Sequence, residues 1–329
     1  MPRWLFQPVM VAALAALIAG CFISADSVNE FEGETLLGSY SLKWLASRGS
    51  PEPAALQEQL EAHIEQLASE LLPLYADSPV TQFNRLPHGA CLTVPDSVQQ
   101  LLQRLQELYA FTLSHTQEQG SSLLPWWLLT TDATSLPESE SRPGVTLESD
   151  QLCRHDDVQL DLSSLVNSYI VDDLDGWFQQ RGIENYMLDL AGDVRVKGKQ
   201  SAGRPWRVVV EAPRDHARLA YRLLDLDDHA VARAGDYRDY VARSRNQSVW
   251  LQDLDTDLKH QGLRCVTVFA ESATEADTLA HLLMFMGAEQ GWIFAEEQGI
   301  SAFFVERHAE QGFVSRGTPA FKALKNSEE

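Results

Sequence analysis

Apolar positions in this chain follow two spacings, one near three and a half residues and one of two. Leu56, Leu60, Ile64, Leu67 and Leu71 recur at helical spacing behind Pro51-Glu-Pro53 and predict a long amphipathic helix. Val98, Leu101, Leu102, Leu105 and Leu108 predict a second over Asp96 to Thr112, with Asp96 as its cap. A third runs from Thr274 to Met286 and stops at Gly287. Strand patterns occupy Leu36 to Trp44, Trp206 to Val210, Cys265 to Ala270 and Gly299 to Val305. Between residues 161 and 195 the elements change quickly. A strand ends at Asp161, a helix opens at Ser163-Ser164, Gly182 stops it, and a second strand leads to a Gly192-Asp193 turn. No repeat is present, and strands and helices do not alternate regularly enough for a doubly wound sheet. The predicted class is a mixed α+β fold.

The first twenty residues do not fit this pattern. Arg3 is followed by an apolar run from Val9 to Ala19, too short to span a bilayer, which needs about 20 apolar residues. Residues 1–20 therefore read as a cleaved signal peptide. Ile18-Ala-Gly-Cys21 resembles a bacterial lipobox, which implies acylation of Cys21 and a lipid anchor on a membrane of the cell envelope, facing the periplasm. The polar segment 21–34 reads as a tether to a domain spanning 35–329.

Charge narrows the partners. The chain carries 26 Lys and Arg against 47 Asp and Glu, a net charge of -21, and loss of Arg3 with the leader takes it to -22. Nucleic acid and anionic lipid surfaces are repelled by such a body. Beyond Cys21 the cysteines are Cys91, Cys153 and Cys265, with no CxxC spacing. They allow at most one disulfide and read as small buried hydrophobes.

Two places hold candidate chemistry. At the helix entry after Asp161, Ser163 or Ser164 is placed to cap, and unpaired first-turn amides suit an anion such as a pyrophosphate. On the later helix, Asp277 and His281 are four residues apart and share one face, a spacing that fits a metal ion. The same stretch also reads as a capping box, Thr274-Glu-Ala-Asp277, with Asp277 reaching back to the backbone. Asp253-Leu-Asp-Thr-Asp257 lacks the glycine and glutamate of a calcium loop, because Leu258 and Arg264 stand in those places. No P-loop, GxGxxG, HExxH or serine elbow is present.

Taken in order, these pieces resemble the FAD:protein FMN transferase (ApbE-like) family. The resemblance rests on Gly38-Ser-Tyr40, Tyr75 with Phe83-Asn84, Asp161-Leu-Ser163 with Tyr169 and Asp172, Gly182-Ile-Glu-Asn185, Gly192-Asp193, Pro205-Trp206-Arg207, Gly235-Asp-Tyr237 and Ala276-Asp277 with Gly287. It implies a mixed α/β fold with a flavin site between two lobes, and transfer of FMN from FAD to a Thr or Ser of a flavin-acceptor protein, using magnesium. It places flavin contacts at Leu37, Tyr75, Asp161 and Asn167. The metal ligands it implies are the Ser164 carbonyl, Asp277 and His281.

Departures from the family pattern define a second reading. Asn167-Ser168 replaces Lys-Gly, and Arg233-Ala234 replaces Thr-Ser. Gly120-Ser-Ser-Leu-Leu-Pro125 lacks the family's Asp, Trp250 stands for its His, and His281 for its metal-binding Thr. Losing a general base or a charge-stabilising group typically costs about 10²–10⁴-fold. The alternative to a transferase is thus a flavin-binding or scaffold lipoprotein whose catalysis has decayed.

Overall fold

The structure is a computed structural model that describes residues 27–46, 51–115, 128–130, 144–155, 158–214, 217–235, 262–308 and 312–324. Its centre is an eight-stranded antiparallel sheet in the order β1 (Val28–Thr35), β2 (Gly38–Leu45), β8 (Tyr186–Leu190), β9 (Asp193–Lys197), β12 (Asp228–Gly235), β13 (Leu263–Ala270), β14 (Ser301–His308) and β15 (Gly312–Gly317). Three small sheets complete the strands. They are β3 (Cys91–Thr93), β6 (Gln151–Arg154) and β5 (Val145–Glu148); β4 (Leu128–Thr130) with β7 (Val158–Leu160); and the hairpin β10 (Trp206–Arg214) with β11 (Ala217–Leu226). The helices are α1 (Pro53–Leu71), α2 (Pro79–Asn84), α3 (Asp96–His115), α4 (Val166–Gln179), α5 (Ala273–Glu297) and α6 (Pro319–Ala323). This is the mixed α+β architecture expected from the sequence.

Both faces of the central sheet are covered, and the strand sequences show why. Successive side chains point to opposite faces. Ala232, Ala234, Val266, Val268 and Phe304 pack with α5 residues such as Ala276 and Leu283. Val231, Cys265, Phe269, Phe303 and Val305 pack on the other face with Trp206, Val208 and Leu224 of the β10–β11 hairpin and Phe321 of α6. A strand buried on both faces reads as a near-continuous apolar run, as β13 does from Cys265 to Ala270 with only Thr267 interrupting, rather than an alternating one. The third cluster joins β2 and β8 to α1, α3 and α4. All five spaced residues of α1 are buried, as are Val98, Leu101, Leu102 and Leu105 of α3.

Two expectations are corrected here. Residues 28–34 lie inside the stretch read as a tether, yet together with Thr35 they form β1 and pair along all of β2. Their polar sequence, Val28-Asn-Glu-Phe-Glu-Gly-Glu-Thr35, suits an edge strand: the Glu side chains face water, and Phe31 packs edge-on against Tyr40 and Trp44. Cys91 and Cys153 are not buried hydrophobes but a disulfide, set opposite one another in the β3–β6 register and 62 residues apart in the chain. A loop of that length is worth about 4 kcal/mol in the chain-entropy model. Cys265 alone is buried as expected. The helix from residue 273 is broken at Gly287, φ 79°, where the sequence places its stop, and a second helical segment follows to Glu297. Glycine adopts that positive φ without the steric cost other residues carry. Among the described residues, no helix is long and apolar enough to cross a membrane.

Candidate functional site

The Asp161 segment is fixed from outside. Asn84, at the end of α2, donates from Nδ2 to the Leu160 carbonyl at 2.9 Å and accepts the Leu160 amide at 2.7 Å. One side-chain amide thereby acts as a strand partner and sets where Asp161 begins. Arg154 holds that corner by donating to the Asn84 and Leu86 carbonyls at 3.2 and 2.7 Å. Asp161 then accepts the Ser163 amide at 2.9 Å, closing a turn over buried Leu162 and Leu165. The helix expected to be capped by Ser163 or Ser164 instead starts at Val166 after Leu165, with no side-chain cap. Packing of the two leucines moves the entry beyond both serines, and the first-turn amides of α4 keep no side-chain acceptor. Half-buried Ser164 lies in the turn and half-buried Asn167 in the first helical turn. Ser168 is fully buried and donates to the Leu165 carbonyl at 3.0 Å.

The entry of α5 is built differently. Ser272 is its N-cap and accepts the Glu275 amide at 3.2 Å. Asp172, two turns into α4, accepts the Ala273 amide at 2.6 Å and the Thr274 amide at 2.8 Å. Burial pushes the Asp172 carboxyl above the usual carboxylate range, against the opposing pull of those amides and of Arg195. The cap is therefore Ser272, two residues before Thr274, and Asp277 is not the acid of a capping box here. Asp277 is 3% exposed, and its Oδ2 has no hydrogen-bond partner. His281 Nδ1 lies 2.9 Å from the Asp277 carbonyl and 3.1 Å from its Oδ1.

The expected flavin residues are held by separate partners. Leu37 sits in the β1–β2 turn, its amide donating to Thr35 Oγ1 at 3.2 Å. Gly38 follows with φ 132°, where an added Cβ would stand 3.1 Å from that of Ala191. Tyr75 donates to Glu65 at 2.6 Å, and burial, reinforced by that carboxylate, pushes its phenol up to about 12. Leu37 and Tyr75 both pack at the border of the cluster that contains Leu162, Leu165 and Val166. Cys21, the Gly120-to-Pro125 stretch, Trp250 and Asp253 to Asp257 lie outside the described residues. Sequence reading gave no role to Asn84, Asp172 or Ser272, whose bonds reach partners that packing alone brings near.

Asp277 Oδ2 is an enclosed carboxylate oxygen without a hydrogen-bond partner, a costly arrangement in the absence of a positive charge. Magnesium asks for a strict octahedron of oxygens. Here one of the two side chains is an imidazole, and among the described residues no group of three or more His, Cys, Asp or Glu is gathered. With one carboxylate, one imidazole already turned to Asp277 by its Nδ1 and no third such side chain beside them, the described residues do not fit a magnesium ion.

Comparison with known proteins agrees with this architecture. A Vibrio cholerae protein named FAD:protein FMN transferase is 27% identical over 335 residues, covering 98% of each chain. The crystal structure of Pseudomonas stutzeri flavinyl transferase ApbE superposes with a TM-score of 0.73 at 29% identity, over 92% of this chain and 98% of that one. The flavin transferase ApbE from Vibrio cholerae shares the fold, with a TM-score of 0.71 at 23% identity over 91% of this chain and all of its own length. The model of the ApbE family matches residues 38–304, from the first residue of β2 into β14, and so takes in the Asp161 turn, Asp172 and the Asp277–His281 pair. This chain belongs to the ApbE family.

Proposed function

We propose that this protein binds FAD and transfers its FMN moiety to a Thr or Ser hydroxyl of an acceptor protein. The hydroxyl oxygen attacks the phosphorus that carries FMN. The pyrophosphate P–O bond breaks, AMP leaves, and the hydroxyl proton is released to solvent. The observation that carries this reading is the correspondence with the Vibrio cholerae FAD:protein FMN transferase across 98% of both chains. The α4 entry supports it, since uncapped first-turn amides and the helix dipole suit a diphosphate. Leu37 and Tyr75 would border the flavin, with Asp161 and Asn167 at the diphosphate end.

A second reading keeps FAD binding without transfer. Ser168 favours it: where the family carries glycine after lysine, this side chain is buried and bonded to its own helix, and Asn167 brings no positive charge to a diphosphate. One assay separates the two. The purified domain is mixed with FAD, a divalent cation and an acceptor protein, and covalent flavin fluorescence is followed on the acceptor. Labelling that Asp277→Ala removes supports the transferase. FAD binding without labelling selects the second reading, and no FAD binding rejects both.

We also propose that Cys21 anchors the chain by lipid to the cell envelope, facing the periplasm. Arg3, the apolar run and Ile18-Ala-Gly-Cys21 support this. Radiolabelled palmitate should enter the wild-type chain and not Cys21→Ser; equal labelling of both removes the anchor.

A further inference from the structure

We infer that the Cys91–Cys153 disulfide is a redox-sensitive clasp on the Asp161 turn, and that its reduction by a dithiol weakens FAD binding. The effect on FAD rests on the transferase reading; the clasp itself stands on contacts among β3, β6, β7 and α2.

A closed frame of bonds joins the disulfide to the turn. Next to it the Arg154 amide donates to the Ala90 carbonyl at 3.0 Å, and the Gly89 amide to the Arg154 carbonyl at 2.7 Å. The Arg154 guanidinium then reaches the Asn84 and Leu86 carbonyls. Asn84 in turn grips the amide and carbonyl of Leu160, and Asp161 follows directly. Only the Cys91–Cys153 link in this frame is covalent.

The small sheet has little else to hold it. β3 meets β6 through three residue pairs, and of the leucines at its centre Leu152 is fully buried while Leu92 is half-buried. Short strands with so little apolar burial open locally at low cost. While the disulfide is intact, an opened frame keeps Arg154 within reach of Asn84. Once it is cut, the opened frame gains chain freedom and its population rises. FAD affinity then falls in proportion to the fraction of molecules whose turn is formed.

Reductant has access. Cys91 is exposed and Cys153 half-buried, on the opposite face of the strand from buried Leu152 and Arg154. A thiolate of the dithiol attacks Cys91 Sγ, the S–S bond breaks, and Cys153 leaves as a thiolate. The second donor thiol displaces Cys91 and closes the donor's own disulfide. Two electrons pass to the protein, and the protons lost by the donor thiols end on Cys91 and Cys153.

The test reads the turn and the ligand separately. In the disulfide form the Leu160 and Ser163 amides should exchange slowly with deuterium, because Asn84 and Asp161 accept them. Dithiothreitol should bring both near open-chain rates while β13 amides stay protected. FAD affinity, read by flavin fluorescence quenching, should fall by about three- to tenfold. Linkage is reciprocal, so saturating FAD should shift the equilibrium with dithiothreitol toward the protein disulfide by the same factor. The double variant Cys91→Ser, Cys153→Ser should bind FAD as the reduced chain does and ignore dithiothreitol. Wild type reduced and capped with iodoacetamide serves if that variant does not fold. Unchanged exchange at Leu160 and Ser163 after reduction overturns the clasp, as does faster exchange with unchanged FAD affinity. Loss of near-UV circular dichroism with all amides opening together makes the bond a global staple and also overturns it. No FAD binding by the disulfide form rejects the transferase reading, and the exchange rates alone then judge the clasp.

Discussion

Asp172 on α4 gives both oxygens to the backbone amides of Ala273 and Thr274, whereas Asp277, one turn along α5, keeps an oxygen with no hydrogen-bond partner. The first carboxylate is saturated and holds a helix in place. The second is more deeply enclosed and less satisfied, an arrangement that lowers the stability of the metal-free fold unless a positive charge arrives. The difference teaches which acid is spent on the fold and which keeps an unpartnered oxygen, a distinction neither residue type nor helical position reveals.

Breaking the second acid should have the largest effect. Asp277→Ala is expected to lower FMN transfer on the order of 10²–10³-fold, followed as covalent fluorescence on the acceptor. Its urea midpoint should be unchanged or higher, since an unpaired buried oxygen is removed. A variant that transfers at the wild-type rate would erase the contrast.

Breaking the first acid should act on stability instead. Asp172→Ala leaves two amides at the α5 entry without their acceptor, and the expected loss is about 2–3 kcal/mol in urea denaturation. A loss near zero would mean that water replaces the carboxylate, and that Asp172 does not hold the helix.

The pH dependence of Asp172 sharpens the contrast with a smaller effect. Burial raises its carboxyl above the ordinary value of 3.8, so the native state keeps the proton after the unfolded chain has released it. Its titration therefore contributes stability that is full below the unfolded value and lost as pH rises through the native one. Unfolding free energies of wild type minus Asp172→Asn should fall as pH increases above about 4. A difference that grows with pH would reverse the assignment.

The smallest effect is expected from Asn167→Lys, which restores a cation near the uncapped α4 entry. FAD affinity should rise by at most about tenfold, and the gain should shrink with added salt. An equal gain at high salt would point to contacts other than charge.

Much of this was legible along the chain. The α1 and α3 faces, the β2 and β13 strands, the break at Gly287 and the shared face of Asp277 and His281 all follow from spacing. The errors share a cause: each depended on a partner distant in sequence. β1 looks like a polar tether until β2 lies beside it, and Cys91 meets Cys153 only through the β3–β6 register. Ser163 and Ser164 are sound caps by residue type, but Leu162 and Leu165 bury and draw the helix start past them.

The i, i+4 pair of Asp277 and His281 was set by sequence alone, because a helix of any surroundings puts those side chains on one face. Sequence also determined which faces of the strands and helices are apolar, and the order of motifs that marks the ApbE family. Whether Asp277 would serve as a cap or stand free for a ligand was decided only by the tertiary structure. Helix-entry amides take any acceptor within reach, and the packing of α4 against α5 delivers Asp172 from 101 residues away in the chain. Ser272 supplies the remaining cap, which leaves Asp277 with an oxygen to offer.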